Sequence, residues 1–288
     1  MGNRTLYRSF LGAIYCASLL LAPPPSRGEI INLETPAGYA ATAQLLEGDE
    51  AHKVVLILHG FLQTRDFFTV RRLGEALHDL GYTVLTPTLT LGIDNRRQSL
   101  ACEAIHTHSM EQDVSEIKLW TDWLFRRNGK PVTLIGHSLG SLELFVYLAT
   151  VSSPPVEQAI LISLITFAQG PIAKESPAER QRALRHLAQG NEAIASFRLA
   201  YCDTYYSTAK NYLSYVEWNG IKALKNLNIS AVKPTILLGG GDRRLGDGWL
   251  PAVKRAGADV VQIPGANHFF DHEYEFDLVD KVAGLLER

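Results

Sequence analysis

Three side chains of this 288-residue chain have the types that acyl transfer through a serine requires. Ser138 lies in the segment VTLIGHSLG, whose core G-x-S-x-G is the signature of a serine raised on a sharp strand-to-helix turn. A serine hydroxyl is a weak nucleophile, so it needs a histidine to accept its proton and a carboxylate to orient that histidine. Asp242 follows the run PTILLGGG and His268 follows ADVVQIP, so each comes just after an expected strand. We therefore predict that Ser138, Asp242 and His268 form a catalytic triad.

Acyl transfer also needs fixed N–H groups that meet the negative charge of the tetrahedral intermediate. The residues His59, Gly60 and Phe61 directly follow the apolar run KVVLIL, at the end of another expected strand. We predict that the backbone N–H groups of Phe61 and Leu139 form this oxyanion hole. His59 is expected to be a structural hydrogen-bonding residue that shapes the loop, rather than a second base.

Two of these assignments have nearby competitors. Asp247 follows Asp242 in the segment GGGDRRLGD, so either carboxylate is placed to reach the histidine. Replacing each with Asn separates them. Arg96 and Arg97 are expected to be solvated surface residues, and the alternative is that they bind an anionic group of the substrate.

One polar segment contains side chains of the kinds that bind zinc. These are Cys102, Glu103, His106, His108 and Glu111. Such combinations also occur in ordinary polar loops, and the serine mechanism needs no metal. We therefore predict neither a metal site nor a cofactor.

Strand and helix patterns alternate from Lys53 onward, which predicts an α/β fold with a mostly parallel central sheet covered by helices. Two stretches interrupt the alternation. Residues 89–108 form a loop that is long for a strand-to-helix connection. Residues 166–232 are expected to form an inserted helical cap, whose aromatic segment YCDTYYSTAKNYLSYVEW packs inward or partly lines an apolar pocket.

The formal net charge is −2 and the basic residues form no long run, so nucleic acid is not an expected partner. The N-terminus has the order of a secretory signal peptide: a basic start, an apolar stretch over 9–22 and a proline-rich break. The apolar stretch is shorter than the roughly 20 residues that a membrane-spanning helix needs. We predict a signal peptide over 1–28, a mature domain over 29–288 with no stable membrane span, and export to the periplasm or the medium.

Removal of such a leader leaves Cys102 and Cys202 as the cysteines of the mature chain. An exported protein meets an oxidising compartment, where two cysteines can form a disulfide. Our hypothesis is a Cys102–Cys202 disulfide that ties the long loop to the insertion. Two buried free thiols are the alternative.

The motifs HGF, GHSLG, GGGD and GANH occur in the order and at the places found in serine hydrolases of the α/β-hydrolase fold. Over roughly residues 30–288 the chain resembles this family, and it is esterase-like or lipase-like. The resemblance implies that Ser138 is the nucleophile, His268 the base and Asp242 the orienting acid. It also implies a small-molecule substrate, with carboxylic esters first and thioesters or lipid-like esters as variants. The alternatives are a peptidase, amidase or acyltransferase with the same triad, and a non-catalytic binding protein on this fold.

Overall fold

The computed structural model describes residues 28–167, 176–227, 230 and 232–288. Within this part the strands are β1 (Glu29–Glu34), β2 (Ala40–Leu46), β3 (Val54–Leu58), β4 (Thr83–Thr88), β5 (Ile105–His106), β6 (Val132–His137), β7 (Val156–Ile162), β8 (Ala195–Leu199), β9 (Cys202–Ser207), β10 (Thr235–Gly239) and β11 (Asp259–Ile263). The helices are α1 (Phe68–Asp79), α2 (Met110–Asn128), α3 (Leu139–Thr150), α4 (Pro177–Ala188), α5 (Ala209–Val216), α6 (Gly220–Asn226), α7 (Trp249–Arg255) and α8 (Tyr274–Leu286).

The large sheet has the order β1-β2-β4-β3-β6-β7-β10-β11. Its strands from β4 to β11 are paired in parallel, while β1 and β2 add an antiparallel edge. All residues of β3 and β6 are buried, as expected of strands covered on both faces. The predicted α/β architecture with a mostly parallel sheet is therefore confirmed, and the antiparallel edge was not predicted.

Helices cover both faces of this sheet. Leu73 of α1 and Val282 of α8 pack with Ile57 and Ile135 on one face. Residues of α2 and α3 belong to the core on the other face. Helix α2 begins with a capping box between Ser109 and Gln112 and ends before Gly129, which has a left-handed backbone.

The segment between β7 and β10 contains three helices in its described part, α4, α5 and α6, but it also contains the strand pair β8–β9, which was not predicted. In β9, Cys202, Tyr205 and Ser207 are buried, whereas Asp203 and Tyr206 are exposed, so the strand is half-buried. β9 pairs in parallel with the short β5 of the loop over 89–108, so the loop and the insertion form one small sheet.

A disulfide joins Cys102 in the loop to Cys202 at the start of β9, with the two Cα atoms 5.4 Å apart. The hypothesis of a bridge between these two cysteines is confirmed. The predicted leader falls on residues that lie outside the described ranges, so it stays a prediction. Among the helices that the structure describes, none is both long enough and apolar enough to cross a membrane.

Candidate active site

Ser138 lies on a strained turn between β6 and α3. Its backbone has φ 60° and ψ −126°, a conformation that non-glycine residues adopt rarely. A Cβ added at Gly140 would lie 2.0 Å from the His59 carbonyl oxygen, and one at Gly136 would lie 2.7 Å from Ser141 Cα. Only glycine fits at these two positions, which explains the G-x-S-x-G spacing. The Ser138 N–H donates to the carbonyl of Ile162 at the end of β7, with a distance of 2.9 Å.

The structure brings the three predicted triad residues together. His268 Nε2 lies 2.8 Å from Ser138 Oγ, and His268 Nδ1 lies 2.7 Å from Asp242 Oδ2. The side chains of His268 and Asp242 are 4% and 0% exposed, so solvent hardly competes for the bond between them. Since the Asp242 carboxylate only accepts, His268 carries its proton on Nδ1, which leaves Nε2 free to accept the serine proton.

The carboxylate beside the histidine is Asp242, not Asp247. Asp242 follows β10, and its Oδ1 accepts the backbone N–H of Arg244 at 2.9 Å, which fixes the carboxylate toward the ring. Asp247 is exposed to solvent. The geometry thus favours the first of the two candidates from the sequence.

The backbone of His268 is held by two donors that the sequence analysis did not single out. Ser163 Oγ and His137 Nε2 both donate to the His268 carbonyl, each at 3.0 Å. Burial lowers the pKa of His137 to about 3, so this ring is neutral and keeps its Nε2 proton for the bond. His137 occupies the x position before Ser138 in G-x-S-x-G, and a histidine at the end of a buried strand is the sequence feature that could have indicated this role.

The segment that follows β3, residues 59–63, is called the oxyanion loop, and it lies against Ser138. A Cβ added at Gly60 would lie 3.3 Å from Ser138 Cβ. Phe61 and Leu139 both line the cleft above the serine. Within the described part of the chain, no hydrogen-bond acceptor is found for either backbone N–H, so both are available to an oxygen placed there.

His59 is a buried structural residue, as its sequence context predicts. Its Nε2 accepts the Leu89 N–H at 3.1 Å, so the proton lies on Nδ1, which donates to the Gly60 carbonyl at 2.8 Å. Burial and the charge of Arg96 lower the pKa of His59 to about 3. The neutral ring therefore fastens the oxyanion loop to the chain that follows β4.

The expectation for Arg96 is wrong, because its side chain is 4% exposed and is neither solvated nor open to a substrate. Its guanidinium donates to the carbonyls of Leu62, Gln63, Leu89 and Gln98. Four carbonyls converge on this guanidinium, and they tie the oxyanion loop to the loop over 89–108. Arg97 is exposed, as expected.

Arg96 belongs to a group of buried charged residues that we call the buried acidic cluster: Asp113, Glu116, Glu143 and Arg96, each at most 4% exposed. Burial raises the pKa of Glu116 to about 7, although Thr90 and Trp120 donate to its carboxylate. Burial also raises the pKa of Glu143 well above its usual range, and the charge of Asp113 adds to this effect.

Three of the five zinc-type side chains of the sequence, Cys102, His106 and His108, have other partners, and Glu103 and Glu111 are exposed. Cys102 is in the disulfide, and His106 Nε2 lies 3.2 Å from the Cys102 carbonyl. Tyr215 donates to Asp113 and therefore accepts from His108 Nδ1. In the described ranges no group of three or more histidine, cysteine or acidic residues has an arrangement suited to a metal ion.

The cleft over Ser138 is mostly apolar. It is lined by Phe61, Gln63, Ser138, Leu139, Ile165, Thr166, Phe167, Ala200, Tyr201, Arg244 and Phe269. Tyr201 of the aromatic segment and Phe167 near the start of the insertion thus line the cleft, whereas Tyr205, Tyr212 and Tyr215 are fully buried. A second cavity, beside Asp113 and Glu116, is larger at about 660 Å³ against about 410 Å³, open mouths included. It contains no triad residue, so cavity size does not mark the site here.

Comparisons with known proteins agree with this architecture. The model of a family described as "Alpha/beta hydrolase family" matches residues 54–280. Est1E from Butyrivibrio proteoclasticus superimposes with a TM-score of 0.62 at 15% identity, over 90% of this chain and 98% of that chain. The thioesterase domain from the curacin biosynthetic pathway gives 0.61 at 17% identity, over 91% and 99%. The esterase PF2001 of Pyrococcus furiosus gives 0.59 at 16% identity, over 91% and 90%. No curated protein matches the sequence.

Proposed function

The chain belongs to the alpha/beta hydrolase family, and we propose that it hydrolyses carboxylic esters through an acyl-enzyme on Ser138. The observation that carries this proposal is the continuous hydrogen-bonded series from Asp242 through His268 to the Ser138 hydroxyl, which lies in the cleft. The structural likeness to two esterases and a thioesterase is in keeping with it.

In the proposed reaction Ser138 Oγ attacks the acyl carbon while His268 Nε2 takes its proton. Asp242 keeps the ring in the required tautomer and stabilises the imidazolium that forms. The Phe61 and Leu139 N–H groups meet the developing oxyanion. His268 then gives the proton to the departing alcohol, and water activated by the same ring releases the acid.

We also propose that the chain is exported. A peptidase, amidase or acyltransferase would use the same triad on other substrates, and a non-catalytic binding protein would turn over none of them. A panel of p-nitrophenyl esters of graded chain length, run beside thioester and aminoacyl substrates, separates the chemistries. We expect wild type to turn over oxygen esters with the highest kcat/KM and Ser138→Ala to lose this turnover. Turnover of the amide substrates alone, or equal rates in the two proteins, would contradict the proposal.

A further inference from the structure

Arg244 places a positive charge in the wall of the candidate active-site cleft. Of the described residues that line the cleft, it is the one with a formal charge. Its guanidinium carbon lies 4.5 Å from the centre of the Phe269 ring, within the range of a cation–π contact. The Phe269 ring is in turn 5.1 Å from the His268 ring, at an interplanar angle of 88°. The charge is therefore held one ring away from the catalytic base.

Among the residues that the structure describes, no carboxylate oxygen lies within 4 Å of this guanidinium, so it has no ionic partner there. The nearby Asp242 is engaged with His268 and with the Arg244 backbone N–H. A ring contact uses the face of a guanidinium, whereas the five N–H donors point outward in its plane. The side chain is half-buried, so those donors are shielded from bulk water yet still reachable from the cleft.

We propose that this site takes esters that carry a carboxylate, and that Arg244 is the specificity-determining residue that binds it. The inference rests on the proposed ester hydrolysis at Ser138. A guanidinium binds a carboxylate through two parallel N–H···O bonds, and a charge pair of this kind is stronger where water is partly excluded. The remaining lining side chains are apolar or neutral, so no like charge opposes an anionic substrate there.

The neighbouring residue supplies a matched control. Arg243 is exposed to solvent and does not line the cleft. Arg243→Gln and Arg244→Gln each remove one positive charge from the same loop. Any effect of net charge or of a change in this loop should therefore occur in both variants. Arg244→Lys keeps the charge and removes the planar pair of donors.

The test compares ester pairs that differ only by a carboxylate or a primary amide of nearly the same shape. One pair carries this group on the acyl side, the monoethyl ester of adipic acid and that of its half-amide. The other carries it on the alcohol side, the acetate esters of gamma-hydroxybutyrate and its amide. We expect wild type to prefer the anionic member of one pair by about 10- to 100-fold in kcat/KM. Arg244→Gln loses that preference, Arg243→Gln keeps it, Arg244→Lys keeps part of it, and added salt weakens it in wild type.

The outcomes separate this inference from the proposed function. If wild type hydrolyses the amide members as fast as the anionic ones, or if Arg244→Gln keeps the preference, Arg244 does not bind the substrate and ester hydrolysis still stands. If wild type hydrolyses neither pair, the binding of the anionic esters is measured instead. Calorimetry then compares their Kd values for Ser138→Ala and Ser138→Ala/Arg244→Gln, and equal values would overturn the inference.

Discussion

Two groups of buried polar side chains flank the oxyanion loop, and they differ in what their hydrogen bonds lead to. In the triad, Asp242 and His268 form a series that ends on the Ser138 hydroxyl in the cleft. In the buried acidic cluster, Glu116 is bonded to Thr90 and Trp120, Asp113 to Tyr215, and Arg96 to backbone carbonyls. The bonds of the triad thus end on one hydroxyl in the cleft, whereas those of the buried acidic cluster hold separate parts of the chain together.

This difference limits what perturbed ionisation says about function. Strong pKa shifts are often taken to mark active sites. Here burial, with a smaller contribution from the charge of Asp113, raises the pKa of Glu116 to about 7. The donors bonded to its carboxylate, Thr90 and Trp120, do not line the cleft over Ser138. The comparison predicts that substitutions in the triad affect turnover, whereas substitutions in the cluster affect stability and the placement of the loop.

The largest effect is expected on the triad side. Asp242→Asn should lower kcat by about 10³- to 10⁴-fold because the amide favours the wrong histidine tautomer. Asp247→Asn is the matched control, and it should leave kcat within about twofold because that side chain is exposed. Both are measured on the best ester, with thermal melts to check folding. A loss confined to Asp247→Asn would assign the carboxylate role to the other residue.

The disulfide tests how the loop over 89–108 is held to the insertion. Cys102→Ala/Cys202→Ala should lower the free energy of unfolding by about 4 to 5 kcal/mol in the chain-entropy model, because the bridge closes a loop with a sequence separation of 100. Urea unfolding measures this loss, with thiol titration of wild type as the control. Two free thiols in denatured, unreduced wild type, or unchanged stability in the variant, would contradict the expectation.

Arg96 connects the two regions, so its replacement should have an intermediate effect. Arg96→Met leaves four carbonyls without their donor and frees the oxyanion loop. We expect kcat to fall by about 10- to 100-fold with little change in KM, since the loop acts mainly on the transition state. Arg97→Met, at an exposed position, serves as the control. Equal kinetics in the two variants would show that Arg96 does not position the loop.

Two further predictions concern the pH dependence of stability, and the first comes from Glu116. Its pKa is raised from 4.5 to about 7 in the folded state. Between these values the folded protein holds a proton that the unfolded chain has lost, so this group lowers stability as pH rises, by at most about 1.4 kcal/mol per pH unit. Glu116→Gln should therefore gain stability relative to wild type as pH rises through this window. Urea melts across it measure the gain, and a constant difference would contradict the shift.

His59 acts in the opposite direction at acid pH. Its pKa is lowered from 6.5 to about 3, so below 6.5 the unfolded chain takes up a proton that the folded protein excludes. The contribution of His59 to stability should therefore fall as pH falls through that range. Melts of Glu116→Gln, which lacks the opposing group, extended to lower pH, check the sign, and a stability of this variant that rises toward acid would contradict it.

The triad geometry was predictable from the sequence because each residue follows the carboxyl end of a parallel strand, and such ends meet at one edge of a sheet. Gly136 and Gly140 mark the elbow for a steric reason that is local to it. The same reasoning could not identify Arg96 or Arg244. Their environments depend on carbonyls and rings from distant parts of the chain, and an arginine in a polar loop has no pattern of its own. The strands β8 and β9 were not predicted. Each is only five or six residues long, and the aromatic residues around them are compatible with a helix as well as with a strand.

The central claim is that Ser138 is an activated nucleophile, and labelling by a fluorophosphonate tests it most directly. Native wild type is incubated with the probe and digested, and the modified peptide is identified by mass spectrometry, with Ser138→Ala as the control. We predict one modified serine, Ser138, and no adduct in the variant or in denatured wild type. An unlabelled native protein, or an adduct that persists in Ser138→Ala, would contradict the claim.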